Sequence, residues 1–483
     1  MDKNHKSNLI NSVRKKVGWV YSDLLWLSED EAQRANEQRN ELVSRLSDWV
    51  TYSFQGSKPH YGPLSPGCLI CGNGGWGCNY FNNRCTRHCF YCPQDRSDNK
   101  ACTPETDGIV FNDPAEHILF LKTFKIKGVG FSGGEPLLEL ERLLAHITAI
   151  RQEFDNSLYL WMYTNGDLVK RGVLKQLRQA GLDEIRFDLS ARSYNLDPVI
   201  LATEFIPTVT VEIPAIPEDF DLLKNLLGKM EAVGVNFLNL HQLRVSKHNY
   251  KAFLKRHYHF LHQPGLPVME SEMCALQLLN YARENRLSLP INYCNAAYKN
   301  RFQNLDLRQR KARLVLKGFE EVTQAAYIRS FRVADAPEKI ISMVKRFEEH
   351  KCLPALWQCN DRKTEASIHS DLLPYVDWSS AEVTLMYVEP GLRLKNQRGG
   401  VVESNLEPMN AEVFKANAWS EIAAEGWRRL YKQNRSPEEV FKFLFQNYPL
   451  IGANDLSHLQ KETGELKQIA AWEELERGLP EVF

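Results

Sequence analysis

The segment "VGFSGGEPLLELERLLAHITAIRQEF", residues 129–154, contains one complete change of periodicity. Val129 and Phe131 lie in a short apolar run, and from Leu137 the apolar residues recur at three- and four-residue spacing. That switch predicts an extended strand followed by an amphipathic helix. Between the two stand Ser132, Gly133, Gly134, Glu135 and Pro136. The glycines carry no Cβ, so the backbone can approach another group closely there. Glu135 offers an acceptor to a cationic group, and a helix opens after Pro136.

The same unit repeats on both sides. Apolar runs at "LYLWMYTNG" (158–166), "EIRFDLS" (184–190), "TVTVEIPAIP" (208–217) and "NFLNLHQLRV" (236–245) alternate with helix-like segments at 114–124, 168–181 and 220–234. Strands alternating with helices imply parallel βαβ units. With one more strand just before Cys85, about six units end near residue 245. In sheets of this kind ligands are held at the carboxyl ends of the strands. The residues there are Thr164 and Asn165 in "YTNG", Asp188 and Ser190 in "FDLS", Glu212 in "VEIP", and His241 in "NLHQ".

Upstream lies "NNRCTRHCFYCPQD", residues 82–95, with Cys85, Cys89 and Cys92. Four cysteines would close a structural zinc or iron site; three leave one coordination position open, where chemistry can occur. A zinc knuckle completed by His88 or Cys78 is the competing reading. The combination of Cys-x3-Cys-x2-Cys and Gly-Gly-Glu-Pro closely resembles the radical S-adenosylmethionine (SAM) superfamily. The resemblance implies a partial (βα)6 barrel of the TIM type and a 4Fe–4S cluster on Cys85, Cys89 and Cys92. It implies SAM as co-substrate, cleaved to a 5′-deoxyadenosyl radical, and a flavodoxin- or ferredoxin-type electron donor. On the same grounds Tyr91 is expected near the adenine, and Ser132, Gly133, Gly134 and Glu135 near the SAM amino group. Thr164, Asn165, Asp188, Ser190, Glu212 and His241 are expected as further SAM contacts. Residues 61–310, through "YGPLSPGCLIC", "GWGCNYFNNRCTRHCFYCP" and "INYCNAAYKNRFQNLDLRQRKAR", resemble a prokaryotic group related to pyruvate formate-lyase activating enzymes. The substrate expected is a peptide, a protein or a small molecule. No motif requires cobalamin. A non-catalytic metal-binding scaffold is the alternative from a different class.

Cys68, Cys71 and Cys78 form a second group with metal-ligand spacing, for which Cys102, Cys274 or Cys294 could supply a fourth ligand. Buried small hydrophobes are the other reading of such cysteines. Cys352 and Cys359 are an isolated pair. The stretch 299–313 holds Lys299, Arg301, Arg308, Arg310, Lys311 and Arg313, either a solvated helix face or the mouth of a site for an anion.

The chain has 483 residues, with Lys plus Arg and Asp plus Glu both at 60. That balance gives no broad electrostatic footprint for nucleic acid. No signal-peptide pattern and no run approaching about 18 apolar residues is present, so a cytoplasmic protein without a membrane partner is expected. Eleven cysteines then read as metal ligands, redox groups and buried thiols rather than disulfides. Four segments are expected: a helical region at 1–60, entered by helices at 7–27 and 29–50, and a core at 61–300. A helical connector at 301–353 and an α+β domain at 354–483 follow, the latter with a hairpin at 380–402 and helices beyond 410. The Gly- and Pro-rich stretch 56–78 is expected to carry neither helix nor strand.

Overall fold

The computed structural model describes residues 3–94, 104–303, 305–377, 380–394, 402–406, 411–416, 475 and 477–483. The chain separates into two units, Met1–Asn304 with Arg477–Phe483, and Leu305–Glu476.

In the first unit, seven parallel strands follow one another in chain order. They are β1 (Trp76–Asn82), β2 (Gly128–Gly133), β3 (Tyr159–Thr164), β4 (Glu184–Phe187), β5 (Thr208–Pro214), β6 (Phe237–His241) and β7 (Ile291–Cys294). The α/β expectation holds, and the parallel run is one strand longer than the sequence pattern indicated. Ile291–Cys294 is short and follows a long helix, Met269–Glu284, so no periodicity ties it to the repeat. Antiparallel strands extend the sheet at both edges: Lys58–Tyr61 and Thr51–Ser53 beyond β7, Glu105–Thr106 and Ile109–Val110 beyond β1.

Inside this sheet, alternate positions carry the large side chains. A Cβ on Gly130 would lie 2.6 Å from the Trp161 ring nitrogen, and one on Gly128 2.8 Å from the same ring. The glycines of β2 therefore make room for the fully buried Trp161 of β3, which stacks on Trp76.

The first helix ends at Val17, well short of residue 27. Beyond it, Leu25–Trp26 pairs in parallel with His259–Phe260, and Trp26 stacks on Tyr21 and His262. Packing of the aromatic residues overrides helix propensity there. The second helix, Glu29–Leu46, opens at the Ser28–Glu31 capping box expected from sequence. It lies against Met269–Glu284, joined by the buried pair Arg39–Glu272. The Gly- and Pro-rich stretch does hold regular structure: strand Lys58–Tyr61 and helix Pro66–Gly72. Ser65 caps that helix through the Cys68 N–H at 3.1 Å, and Pro66 sits in its first turn, where no N–H is required.

The second unit is an antiparallel sheet with helices Leu305–Val315 and Pro337–Glu349. Its core gathers Phe331, Val333, Ile340, Phe347, Ile368 and Tyr387. Strand Glu382–Leu394 pairs with Ala411–Ala416, which in turn pairs with Val402–Leu406. The expected hairpin at 380–402 is thus replaced by strands joined through a third, and residues just beyond 410 are strand rather than helix. The helices expected farther on lie mostly outside the described residues.

Candidate functional site

The turn after β2 and the chain leading to Cys85 are built as one piece. Gly134 N–H donates to the Asn82 carbonyl and Glu135 N–H to the Arg84 carbonyl, both at 2.7 Å. Gly133 has φ of +125°, and a Cβ there would lie 2.3 Å from the Asn82 oxygen. On Gly134 a Cβ would lie 1.9 Å from the Arg84 oxygen. Both glycines are required by backbone packed against backbone, in addition to any ligand beyond. The cysteine loop is tied to the exit of β3 as well. Arg87 donates two hydrogen bonds of 2.6 Å to Asp167, and Thr86 Oγ1 donates to it at 2.8 Å. Asn165 Nδ2 lies 2.9 Å from Thr86 Oγ1 and 3.5 Å from the Cys85 sulfur.

A cavity of about 380 Å³ opens over these elements. Its wall includes Cys85, Cys89, Cys92, Tyr91, Ser132, Gly133, Gly134, Thr164, Asn165, Asp188, Glu212 and His241, together with Cys68, Cys71 and Cys78. Residues scattered over 174 positions from Cys68 to His241 in the sequence thus meet in one place. Glu135 lies behind the wall, fully buried. Its carboxylate accepts from Leu137 N–H (3.1 Å), Asn165 N–H (2.9 Å) and the Thr164 hydroxyl (3.0 Å). Burial pushes its carboxyl up to about 7, against the pull of those donors.

Tyr91 is bound by hydrogen bonds rather than left as a free ring. Its hydroxyl donates to Asp188 at 2.9 Å and meets Ser190 Oγ at 2.5 Å, while Asn249 donates to its carbonyl at 3.0 Å. Burial raises the Asp188 carboxyl, against the hydrogen bonds from Ser190 and Tyr91. Glu212 accepts from His241 Nε2 (2.6 Å), Arg186 (2.8 Å) and Asn239 (2.9 Å). Burial opposes its ionisation, but the donors of His241 and Arg186 outweigh burial and hold its carboxyl below the usual range. Burial and the neighbouring Lys299 ammonium push His241 down to about 4. The neutral imidazole therefore donates from Nε2 to Glu212 and accepts from Lys299 Nζ at Nδ1, 3.0 Å away.

Sequence reasoning missed Arg186, Lys58 and Asn239, all on the cavity wall. Arg186 was legible, because Glu184, Arg186 and Asp188 alternate along one strand and so share its inner face. Of the basic stretch 299–313, Lys299 alone lines the cavity. Arg301 bonds the Gly478 carbonyl at 2.6 Å, Arg308 the Ala325 carbonyl, and Arg310 pairs with Asp306.

The thiols of Cys71 and Cys78 are pushed up to about 12 by burial, and that of Cys68 is also raised. The Cys68 sulfur lies 3.3 Å from Asn239 Nδ2. Cys102 lies outside the described residues. Among the described residues no three His, Cys, Asp or Glu side chains converge on a single ion. A zinc knuckle needs four such ligands around one ion. Cys85, Cys89 and Cys92, none of them in a disulfide, line the one cavity together.

Residues 79–201 match the model of the Radical SAM superfamily. A Methanocaldococcus jannaschii protein named as a glycyl-radical enzyme activating enzyme is 28% identical over 304 residues, which is 60% of this chain and 80% of that one. Among solved structures, similarity extends to the radical SAM methyltransferase TsrM of Kitasatospora setae, at 17% identity and a TM-score of 0.27, covering 40% of this chain and 41% of that one. It extends also to SuiB of Streptococcus suis bound to its precursor peptide SuiA, at 12% identity and a TM-score of 0.35, covering 53% and 52%. This chain spans about half the length, or less, of these two solved structures. No helix among the described residues is long and apolar enough to cross a membrane.

Proposed function

We propose that this chain, whose residues 79–201 match the Radical SAM superfamily model, cleaves SAM reductively and takes a hydrogen atom from an organic substrate. The observation that carries the reading is the joint wall of Cys85, Cys89, Cys92 and the Gly133–Gly134 turn around one cavity. Cys85, Cys89 and Cys92 would hold the 4Fe–4S cluster. With SAM bound, that group supplies a 5′-deoxyadenosyl radical, and a flavodoxin- or ferredoxin-type donor would deliver the electron.

The rest is work for the chain's own groups. Asn165 donates toward the Cys85 sulfur and Thr86, and the Arg87–Asp167 pair holds the loop against β3, so the cysteine loop is fixed in place before any ligand arrives. Tyr91 and Ser190 aim the Asp188 carboxylate at a fixed point, where it can accept from a ribose hydroxyl. The M. jannaschii relative's name supports a protein as substrate, with hydrogen taken from a backbone glycine. Buried charged groups in the same cavity favour a second reading, a small molecule held inside.

The test is anaerobic reconstitution with iron and sulfide, then dithionite and SAM. Wild type should yield 5′-deoxyadenosine, and the variant with Cys85, Cys89 and Cys92 all changed to Ala should lose both product and the cluster's absorption. A triple variant that keeps the full cluster overturns the reading. Residual iron there with no product would assign a second metal site to Cys68, Cys71 and Cys78.

A further inference from the structure

Lys58 has no part in the chemistry above. It stands on the strand beside β7, is 1% exposed, and rests its ammonium 3.6 Å from the centre of the Tyr298 ring. Among the described residues its Nζ has no carboxylate partner and no hydrogen-bond acceptor, yet the residue lines the cavity. Lys299, on the segment following β7, lines it too, and among the described residues its ammonium donates only to Nδ1 of the neutral His241 ring, at 3.0 Å. The buried carboxylates nearby are already satisfied, Glu212 and Asp188 on the wall and Glu184 beside it, Asp188 by Tyr91 and Ser190. Glu212 takes Arg186, Asn239 and His241; Glu184 takes Arg186 at 2.8 Å and Thr210 at 2.7 Å. Arg186 thus answers both Glu184 and Glu212, and the ammonium groups of Lys58 and Lys299 have no carboxylate among the described residues.

A buried cation without a counter-charge is unfavourable, and a flexible ammonium with free donors is suited to an oxyanion. We infer that Lys58 and Lys299 bind an anionic oxygen group of the substrate, a carboxylate or a phosphate, on the wall formed by β5–β7. The inference rests on the proposed radical reaction only for the identity of that ligand as substrate; the anion site stands on the lysines themselves. It fits an acidic small molecule or a peptide presenting a carboxylate, and it excludes a substrate that enters this wall with apolar groups alone.

The experiment uses the full-length, anaerobically reconstituted protein with saturating SAM, and titrates inorganic phosphate and, separately, acetate by calorimetry. At least one anion should bind wild type, and its affinity should fall about tenfold or more in Lys58→Met and again in Lys299→Met, as expected when a charge-assisted hydrogen bond is lost. Preference for phosphate or for acetate identifies the source of the oxyanion. SAM affinity should stay within about twofold of wild type, and the Lys58→Met thermal midpoint should not drop, because the variant buries a thioether where an unpaired cation stood. If Lys58→Met does not fold, Lys299→Met carries the affinity test alone. Anion binding unchanged in the variants overturns the inference; so does a parallel loss of SAM affinity, which would give the lysines to the methionine carboxylate of SAM. Failure of wild type to form 5′-deoxyadenosine would remove the radical reading while leaving the anion titration intact.

Discussion

Glu135 joins two strand ends at the point where each leaves the sheet. Its carboxylate gathers Leu137 N–H, Asn165 N–H and the Thr164 hydroxyl, and Thr164 in turn accepts from Gly166 N–H at 3.0 Å. Glu135→Ala would strand three donors in a place sealed from solvent, at roughly 1–3 kcal/mol for each that finds no water. We expect the thermal midpoint to fall by the equivalent of about 3 kcal/mol, and SAM affinity by about tenfold as Thr164 and Asn165 lose their anchor. Glu135→Gln should do less, since one amide oxygen keeps part of the set. An unchanged midpoint with weakened SAM binding would restore Glu135 to direct ligand contact. One residue earlier, the Cβ of Gly134→Ala would meet the Arg84 carbonyl oxygen, which cannot move without carrying Cys85 with it. Iron per chain after reconstitution should fall well below wild type in that variant. Iron at the wild-type level would mean that the loop adapts.

Between elements, the contact of helices Pro114–Thr123 and Leu140–Phe154 holds a pair of histidines. His117 Nδ1 lies 3.4 Å from His146 Nδ1 and 3.2 Å from Asn79 Nδ2, and His117 stacks on Phe111. Burial, with Arg142 adding to it, pushes His146 from 6.5 down to about 4, and burial takes His117 well below its ordinary value. The unfolded chain takes up protons below about pH 6.5 while the folded pair does not. Stability is therefore full above that pH and falls as pH drops toward about 4. Between about pH 7 and 5, the loss from one such histidine is on the order of 2 kcal/mol. Urea unfolding at several pH values should show this slope, and His146→Leu should flatten it; an identical slope in the variant would refute the assignment.

The elements from 114 to 241 were legible because two periodicities, near 2 and near 3.6, alternate there without interruption. Lys58–Tyr61 was not legible, and the short strand read in "LSLPINYC" (287–294) could not be joined to the repeat. Each strand, Lys58–Tyr61 and Ile291–Cys294, is four residues long and takes its place from pairing with a strand remote in sequence. Cys85, Cys89, Cys92, Asn165 and Asp188 could be listed for the site because strand ends and cysteine spacing mark them. Lys58 could not: a lysine between serine and proline reads as solvated until the fold buries it.

In the whole molecule, the first unit is interrupted. It stops at Asn304 and resumes at Arg477, with the second unit inserted between. The resumed segment is bound firmly. Asn36 exchanges two hydrogen bonds with Val482, His262 N–H donates to the Phe483 carbonyl, and Gly478 N–H to that of Gln55. Val482 and Phe483 are both buried. Deleting 478–483 should therefore lower the stability of the first unit, because it uncovers the apolar surface under Val482 and Phe483 and leaves Asn36 and His262 without their hydrogen-bond partners there. Thermal unfolding of the truncated chain measures it; a midpoint equal to wild type would show that the segment adds nothing.

That interruption also sets an order of events during synthesis. Arg39 and Asn36, on one of the first helices to leave the ribosome, find Pro480 and Val482 only after residues 305–476 have been translated. At about 5–20 residues per second the wait is roughly 10–35 s. Throughout it the cysteine loop, both glycines of its turn and the rest of the cavity wall, all at 58–303, are already outside the exit tunnel, so Cys85, Cys89 and Cys92 can be gathered before 477–483 closes the first unit.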